Sequence, residues 1–180
     1  MRLGWMLAIV FVATAIAAQA ADPQLSATAN QAFLSAYAKK PGVVVKPDGL
    51  MYRILQNGFG LRPRPIDYVT VYYTGKLING VKFDGTEDGM PVRMKVNSLI
   101  AGWAEALALM KTGDRWEIVV PARLGYGETG TPDGAIPPNQ TLVFELQLVK
   151  VTPPRLRPAD PNNPDDKHAG EDLGPDDEGN

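Results

Sequence analysis

Residues 96–113 read Val-Asn-Ser-Leu-Ile-Ala-Gly-Trp-Ala-Glu-Ala-Leu-Ala-Leu-Met-Lys-Thr-Gly, and they form the clearest helical pattern in the chain. Trp103, Leu107 and Met110 recur at helical spacing and give this stretch one apolar face. Gly113 marks its end because glycine adopts positive φ without strain. A short helix with a tryptophan near its start can fill the concave side of a curved sheet, where the indole provides a broad apolar floor. We therefore predict that the rest of the fold is built around this helix.

Strand patterns occupy most of the sequence around the helix. In residues 67–78, Val69, Val71 and Tyr73 share one face, and residues 141–151 show the same alternation with leucines and a phenylalanine. Such alternation is typical of an antiparallel sheet with one buried face. The predicted strands are 50–56, 67–78, 81–84, 91–96, 115–121 and 141–151. Residues 122–140 form a long connection, and connections of this length usually have a function.

The N-terminus predicts export. Residues 1–20 combine Arg2, an apolar run and the small residues around Gln19 that are typical of a signal-peptide cleavage site, so cleavage before Ala21 is expected. The apolar run is short for a membrane span. We therefore expect an exported protein without membrane attachment after cleavage, which would be periplasmic in a Gram-negative bacterium.

Residues 22–40 show an amphipathic helical pattern, with Asp22 as a possible cap and Pro41-Gly42 as the stop. A single helix of this length is marginal in isolation. It is therefore expected to dock either on the domain or on a second copy of itself, which leaves a monomer and a weak dimer both open.

The composition changes after Val151. Residues 153–180 contain six prolines, eight acids and three bases, a net charge of −5. So few apolar residues cannot form a core, so this acidic tail is predicted to be disordered.

Several classes of function are disfavoured. The net charge of −2 argues against binding to nucleic acid, which requires a basic surface. Cysteine is absent and the only histidine, His168, lies in the acidic tail. Thiol nucleophiles and sites built on histidine are therefore not expected.

Two motifs could indicate a nucleotide-binding or catalytic site, but the surrounding sequence does not support that interpretation. Residues 125–130 match the letters of the dinucleotide fingerprint, but the proline-rich residues that follow cannot form the helix that meets the phosphates. Asp84 could belong to the carboxylate pair of a glycoside hydrolase, yet no other acid has a spacing that supports a pair.

The aromatic residues of several segments could form either core or a concave pocket, and the pocket is the sharper hypothesis.

A set of motifs occurs in the order found in one family. They are Val71-Tyr72-Tyr73-Thr74-Gly75, Gly80-Val81-Lys82-Phe83-Asp84, Leu99-Ile100-Ala101-Gly102-Trp103, Tyr126-Gly127, Ile136-Pro137-Pro138-Asn139 and Leu142-Val143-Phe144-Glu145-Leu146. Together they resemble an FKBP-type peptidyl-prolyl cis-trans isomerase over about residues 50–151. The N-terminal extension is similar to exported bacterial members related to the macrophage infectivity potentiator.

The resemblance implies an α+β fold in which a bent antiparallel β-sheet wraps around one short α-helix. It also implies isomerisation of X-Pro bonds in exported polypeptides, without a metal or cofactor, and binding of macrolide inhibitors of the rapamycin class. The implied catalytic residues are Tyr73, Phe83, Asp84, Trp103 and Tyr126. The implied substrate-binding residues are Val92, Leu99, Ile100, Ile136 and Phe144.

The resulting domain prediction is a signal peptide (1–20), a helical extension with a linker (21–49), an isomerase domain (50–152) and the acidic tail (153–180). The alternative function is a holdase-type chaperone or proline-peptide binding module with little turnover.

Overall fold

The computed structural model describes residues 22–86, 89–158, 161–162 and 167–174, so the predicted signal peptide lies outside the described residues. Within these ranges the chain forms seven strands and two α-helices. The helices are α1 (Ala27–Tyr37) and α2 (Ala101–Leu109). The strands are β1 (Val43–Val45), β2 (Met51–Gln56), β3 (Tyr68–Leu77), β4 (Lys82–Gly85), β5 (Val92–Lys95), β6 (Arg115–Val120) and β7 (Leu142–Thr152).

The strands form a single antiparallel sheet. Their order is β1-β2-β6-β7-β3-β4, and β5 also pairs with β3. β3 is the organising strand because it pairs with β7 along its whole length and with β4 and β5 at its two ends. A bulge between Thr70 and Val71 interrupts the pairing with β7. The predicted antiparallel sheet packed around one short helix is confirmed. Strand β1, which pairs with β2, was not predicted.

Helix α2 fills one side of the sheet. Ala106, Leu107 and Met110 are completely buried, and Trp103 is 4% exposed. Gly102 allows α2 to lie close to β6, because a Cβ at this position would be 2.6 Å from a methyl group of Val120. A larger residue at 102 would therefore push the helix and its tryptophan away from the sheet.

The stretch 96–113 is not one continuous helix. Val96–Ser98 forms a 3-10 turn, Leu99 and Ile100 are extended, and α2 begins at Ala101. The helix ends at Leu109 because Met110 is again extended. This break places Leu99 and Ile100 at the N-terminal entrance of α2.

Helix α1 packs on the other side of the sheet, on its own domain. Tyr37, Met51 and Val119 form a second buried cluster there. The sequence left open whether this helix docks on its own domain or on a second copy of itself. In the structure α1 is docked on its own domain. α1 is shorter than the predicted 22–40 helix, because its N-cap is Ser26 while Asp22 caps the preceding 3-10 turn.

Asn30 joins α1 to the loop that precedes β7. Its side-chain NH2 donates to Gln140 Oε1 at 3.1 Å, and its Oδ1 accepts from the backbone N–H of Thr141 at 2.8 Å. Gln140 in turn donates to the carbonyls of Leu25 and Pro138. This buried polar network ties the N-terminal extension to the long connection.

Some described residues of the tail make specific contacts, while the disorder of residues 153–180 as a whole stays a prediction. Leu156 and Asp172 form an antiparallel bridge, and Asp172 accepts a hydrogen bond from Lys95 Nζ at 2.6 Å. Residues 155–157 and 170–174 therefore have a defined position on the domain.

Asp67 is a buried acid at the start of β3. It is 2% exposed, and its carboxylate accepts hydrogen bonds from the backbone N–H and the guanidinium of Arg64 at 2.8 to 3.2 Å. These hydrogen bonds hold the pKa of Asp67 below its usual value. The ionised form therefore stabilises the loop that enters β3.

We expect Asp67→Asn to destabilise the protein at pH 7 by about 1 to 2 kcal/mol, because it removes charge-assisted hydrogen bonds from a buried acid to the exposed Arg64. The folded-state pKa of Asp67 lies below its unfolded value, so this stabilisation is present above about pH 4 and is lost as pH falls through the folded pKa. Urea unfolding at pH 7 and at pH 3 should show a smaller gap between variant and wild type at pH 3.

The control for this prediction is Glu145→Gln, which removes the exposed ion pair of Glu145 with Arg115. Its effect should stay within about 0.5 kcal/mol at both values of pH. An Asp67→Asn variant with an unchanged gap at the two pH values would contradict the assignment of acid sensitivity to Asp67.

Candidate active site

A cavity opens between the sheet, the entrance of α2 and the loop after β6. Its volume is about 240 Å³. Its lining residues are Tyr73, Phe83, Asp84, Met94, Ser98, Leu99, Ile100, Trp103, Tyr126 and Phe144. These residues come from β3, β4, β5, α2, β7 and the connecting loops, so the site exists only in the folded domain.

Four aromatic rings form the wall and floor of the cavity through edge-to-face contacts. The ring of Trp103 lies 5.1 Å from that of Tyr73 and 5.2 Å from that of Phe144, both nearly perpendicular. Phe83 meets Phe144 at 5.6 Å in the same manner. Gly75 makes this arrangement possible, since a Cβ there would lie 2.7 Å from the Phe83 ring. The rings brace one another, so the apolar surface is preorganised.

Trp103 forms the floor of this site. Its indole is almost fully buried, and its N–H has no hydrogen-bond partner among the described residues. Within the described part of the chain, no hydrogen bond therefore holds the indole in place. Its position depends on the packing of Tyr73, Phe144 and the sheet.

Asp84 and Tyr73 form the polar edge. The hydroxyl of Tyr73 donates to Asp84 Oδ2 at 2.7 Å, and the backbone N–H of Gly85 donates to Asp84 Oδ1 at 2.7 Å. Burial, and next the hydrogen bond to Asp84, raise the pKa of Tyr73 well above its ordinary value. Tyr73 is therefore a neutral donor at physiological pH, and it fixes the orientation of the carboxylate.

Besides the buried indole N–H of Trp103, the backbone N–H of Ile100 and the hydroxyl of Tyr126 have no protein acceptor among the described residues. Burial, and then the charge of Asp84, raise the pKa of Tyr126, so its hydroxyl also stays protonated at neutral pH. Both groups can donate to carbonyl oxygens of a bound molecule.

The structure brings eight of the ten sequence-predicted site residues to the cavity. Ile136 and Val92 are not part of its lining. Ile136 is 3% exposed and packs in the core, while Val92 packs against the core from β5. Their proposed contact with substrate stays a prediction.

Met94 and Ser98 line the cavity and were missed. Met94 lies two residues after Val92 on the same face of β5, so the strand alternation could have indicated it. Ser98 lies in the 3-10 turn, and the helical pattern of the sequence gave no indication of that turn. In the described part of the chain, no group of three or more acidic, histidine or cysteine side chains is arranged to hold a metal ion.

Comparison with known proteins agrees with this geometry. The profile of the FKBP-type peptidyl-prolyl cis-trans isomerase family matches residues 60–149, half of the chain. The chain belongs to this family. A second profile, the domain amino terminal to FKBP-type isomerases, matches residues 8–54. The FKBP match covers β3 to most of β7 and therefore the whole cavity.

Two bacterial relatives show the extent of the similarity. The chain is 50% identical over 123 residues to the outer membrane protein MIP of Legionella longbeachae, covering 68% of this chain and 52% of that protein. It is 43% identical over 129 residues to the FKBP-type 22 kDa peptidyl-prolyl cis-trans isomerase of Escherichia coli, covering 71% and 62%. The chain thus spans roughly half to three fifths of the length of these relatives.

Solved structures share the fold. The peptidyl-prolyl cis-trans isomerase of Pseudomonas syringae pv. tomato is 36% identical with a TM-score of 0.65, and the match covers 69% of this chain and 92% of that one. FkpA of Escherichia coli is 37% identical with a TM-score of 0.67, covering 70% and 59%. Helices α1 and α2 are both too short to cross a bilayer, and the other residues that the structure describes form no helix that could.

Proposed function

We propose that the chain is a peptidyl-prolyl cis-trans isomerase that accelerates rotation about X-Pro bonds in exported polypeptides. The observation that carries this proposal is the apolar cavity with Trp103 as its floor. At its edge lie the Ile100 N–H and the Tyr126 hydroxyl, which have no acceptor within the described part of the chain. A prolyl ring fits the aromatic enclosure, while the donors suit the carbonyls on either side of it.

The proposed mechanism requires no covalent step. Rotation about the imide bond is opposed by amide resonance, with a barrier of about 18 to 20 kcal/mol. Resonance separates charge between oxygen and nitrogen, so the planar form is more polar than the twisted form. An environment that excludes water therefore disfavours the planar form relative to the twisted transition state. A reduction of about 4 kcal/mol would accelerate rotation roughly a thousandfold.

Different cavity residues make different contributions to the proposed catalysis. Tyr73, Phe83, Trp103 and Phe144 supply the apolar enclosure that removes water from the imide. The backbone N–H of Ile100 and the hydroxyl of Tyr126 hold substrate carbonyls, which orients the bond that rotates. Asp84, fixed by Tyr73 and Gly85, places a negative charge beside the imide and polarises it.

The test is refolding of a protein whose slow phase is limited by proline isomerisation. The chain should accelerate that phase in proportion to its own concentration, and it should do the same for a short X-Pro peptide. A slow phase that is unchanged at micromolar concentrations of the chain would contradict the proposal.

The alternative is a holdase that binds apolar segments with little turnover. The comparisons favour the isomerase, since several relatives carry that name. Suppression of aggregation of a proline-free protein, without acceleration of the proline-limited phase, would support the holdase.

Three finer statements belong to the same proposal. Macrolide inhibitors of the rapamycin class are expected to insert only one ring into the cavity. Its volume of about 240 Å³ is less than the roughly 300 to 1,000 Å³ of typical drug-binding pockets.

Export and a periplasmic location rest on the signal-peptide pattern of residues 1–20 and are tested by cell fractionation. Sedimentation over a range of concentrations distinguishes a monomer from a weak dimer.

A further inference from the structure

The segment Met94 to Ile100 supplies a whole wall of the cavity. Four of the ten lining residues come from it, namely Met94, Ser98, Leu99 and Ile100. It also contains the backbone N–H of Ile100, which has no acceptor among the residues that the structure describes. The position of this segment therefore decides both the shape of the cavity and the placing of one substrate donor.

The strand that leads into this segment is weakly held by the sheet. β5 has four residues and, in the described part of the chain, pairs only with β3, through four residue pairs from Val92 to Lys95. A short edge strand is a region where local opening is expected to cost little free energy. An additional contact at its end would therefore affect the cavity wall directly.

The C-terminal tail provides such a contact. Residues 155–157 and 170–173 run antiparallel, with the N–H of Leu173 donating to Arg155 O at 2.8 Å and the N–H of Arg157 donating to Glu171 O at 2.9 Å. Asp172 lies opposite Leu156 in this pair, and the backbone N–H of Gly174 donates to Asp172 Oδ1 at 3.0 Å. These hydrogen bonds fix the Asp172 backbone and one of its carboxylate oxygens.

The other oxygen of Asp172 binds both strands at once. Oδ2 accepts from Lys95 Nζ at 2.6 Å and from the Tyr68 hydroxyl at 2.9 Å. Tyr68 on β3 and Lys95 on β5 are direct cross-strand neighbours, so one carboxylate joins the two strands where β5 ends. The side chains of Lys95 and Asp172 are 31% and 19% exposed, so this ion pair is better shielded than an ordinary surface pair.

Lys95, the residue that Asp172 binds, lies close in the chain to two residues that line the cavity. Met94 is one position before it and Ser98 is three positions after it. Ser98 donates its hydroxyl to the carbonyl of Lys95 at 2.8 Å. Fixing Lys95 therefore also fixes Met94 and the 3-10 turn that leads to Ile100.

We propose that residues 155–157 and 170–174 form a C-terminal clasp that positions the cavity wall, and that Asp172 is a positioning residue acting through Lys95. The inference rests on the proposed isomerase function for its kinetic consequence. With the clasp closed, the Ile100 N–H and Met94 are held in place for the substrate. With the clasp open, substrate binding is weakened while the aromatic floor remains intact.

The test compares Asp172→Asn and Lys95→Gln with wild type in the full chain. Each should raise KM for an X-Pro peptide roughly fivefold with kcat nearly unchanged. The double variant should be no worse than either single variant, because both remove the same contact. Glu171→Gln is the matched control, because it removes one acid from the same tail and the Glu171 side chain binds His168 instead of Lys95. The KM of this variant should equal that of wild type.

A second measurement does not depend on activity. Amide and indole chemical shifts of Ile100 and Trp103, observed by NMR, should move in Asp172→Asn at Ile100 far more than at Trp103. Unchanged KM together with unchanged Ile100 shifts would overturn the clasp. A wild-type chain without isomerase activity, but with the expected Ile100 shifts in the variant, would instead refute the proposed function and retain the clasp.

Discussion

Replacing Trp103 with alanine should lower kcat/KM for X-Pro isomerisation roughly 30- to 100-fold, which corresponds to about 2 to 3 kcal/mol of transition-state stabilisation. The indole is the floor of the cavity and meets Tyr73 and Phe144 edge to face. Without it, water reaches the imide and the planar, more polar form is no longer disfavoured. The measurement is a peptide assay at a temperature where the variant is shown by circular dichroism to be folded.

Stability must be separated from activity in this experiment, because a large-to-small change at a buried tryptophan costs about 3 to 5 kcal/mol. Trp116 offers a matched control. It is equally buried at 4% exposed, its indole N–H also has no partner among the described residues, and it stacks on Tyr52 away from the cavity. Trp116→Ala should lose comparable stability and retain kcat/KM within about threefold. Equal losses of activity in both variants would remove the special role of Trp103.

Asp84→Leu is expected to lower kcat/KM about tenfold or more with a stability change of about 1 kcal/mol or less. The carboxylate accepts hydrogen bonds from the Tyr73 hydroxyl and the Gly85 N–H, and it is the acid at the edge of the cavity. Asp84→Asn keeps an acceptor for Tyr73 but removes the charge. It should therefore fall between wild type and Asp84→Leu in the same peptide assay.

An independent observable accompanies this prediction. Asp84 contributes to the raised pKa of Tyr73 after burial, which is the larger cause. In both Asp84 variants the pKa of Tyr73 should fall but stay above its ordinary value, as followed by ultraviolet absorbance of the phenolate. Tyr73→Phe tests whether Asp84 acts mainly through this hydrogen bond. Full activity in Asp84→Leu would exclude the carboxylate from the mechanism.

Much of the fold could be predicted because its signals are local. Alternation in β3 and β7 identified the antiparallel sheet, and the spacing of Trp103, Leu107 and Met110 identified α2. The limits of the helix were less accurate. Leu99 and Ile100 are extended although their side chains fit the helical pattern, since an apolar residue before the first turn has the same spacing as one inside it.

The cavity was predictable to the extent that its residues occur in recognisable motifs. Tyr73, Phe83, Asp84, Trp103 and Tyr126 meet as expected. Met94 and Ser98 do not belong to those motifs, and Ile136 packs in the core. Which of several apolar neighbours faces a cavity depends on packing, and packing is a property of the assembled sheet.

The sequence by itself determined the sheet, the central helix and the aromatic set, because residue type and spacing report which face of each element is apolar. Its ordered motifs carried the resemblance to the family. Only the tertiary structure decided that Asn30 meets Gln140 and Thr141, and that Asp172 joins Tyr68 and Lys95. These polar pairs are separated by 77 to 111 positions along the chain. Their partners are selected by strand register and docking, which bring distant residues together and which no local pattern encodes.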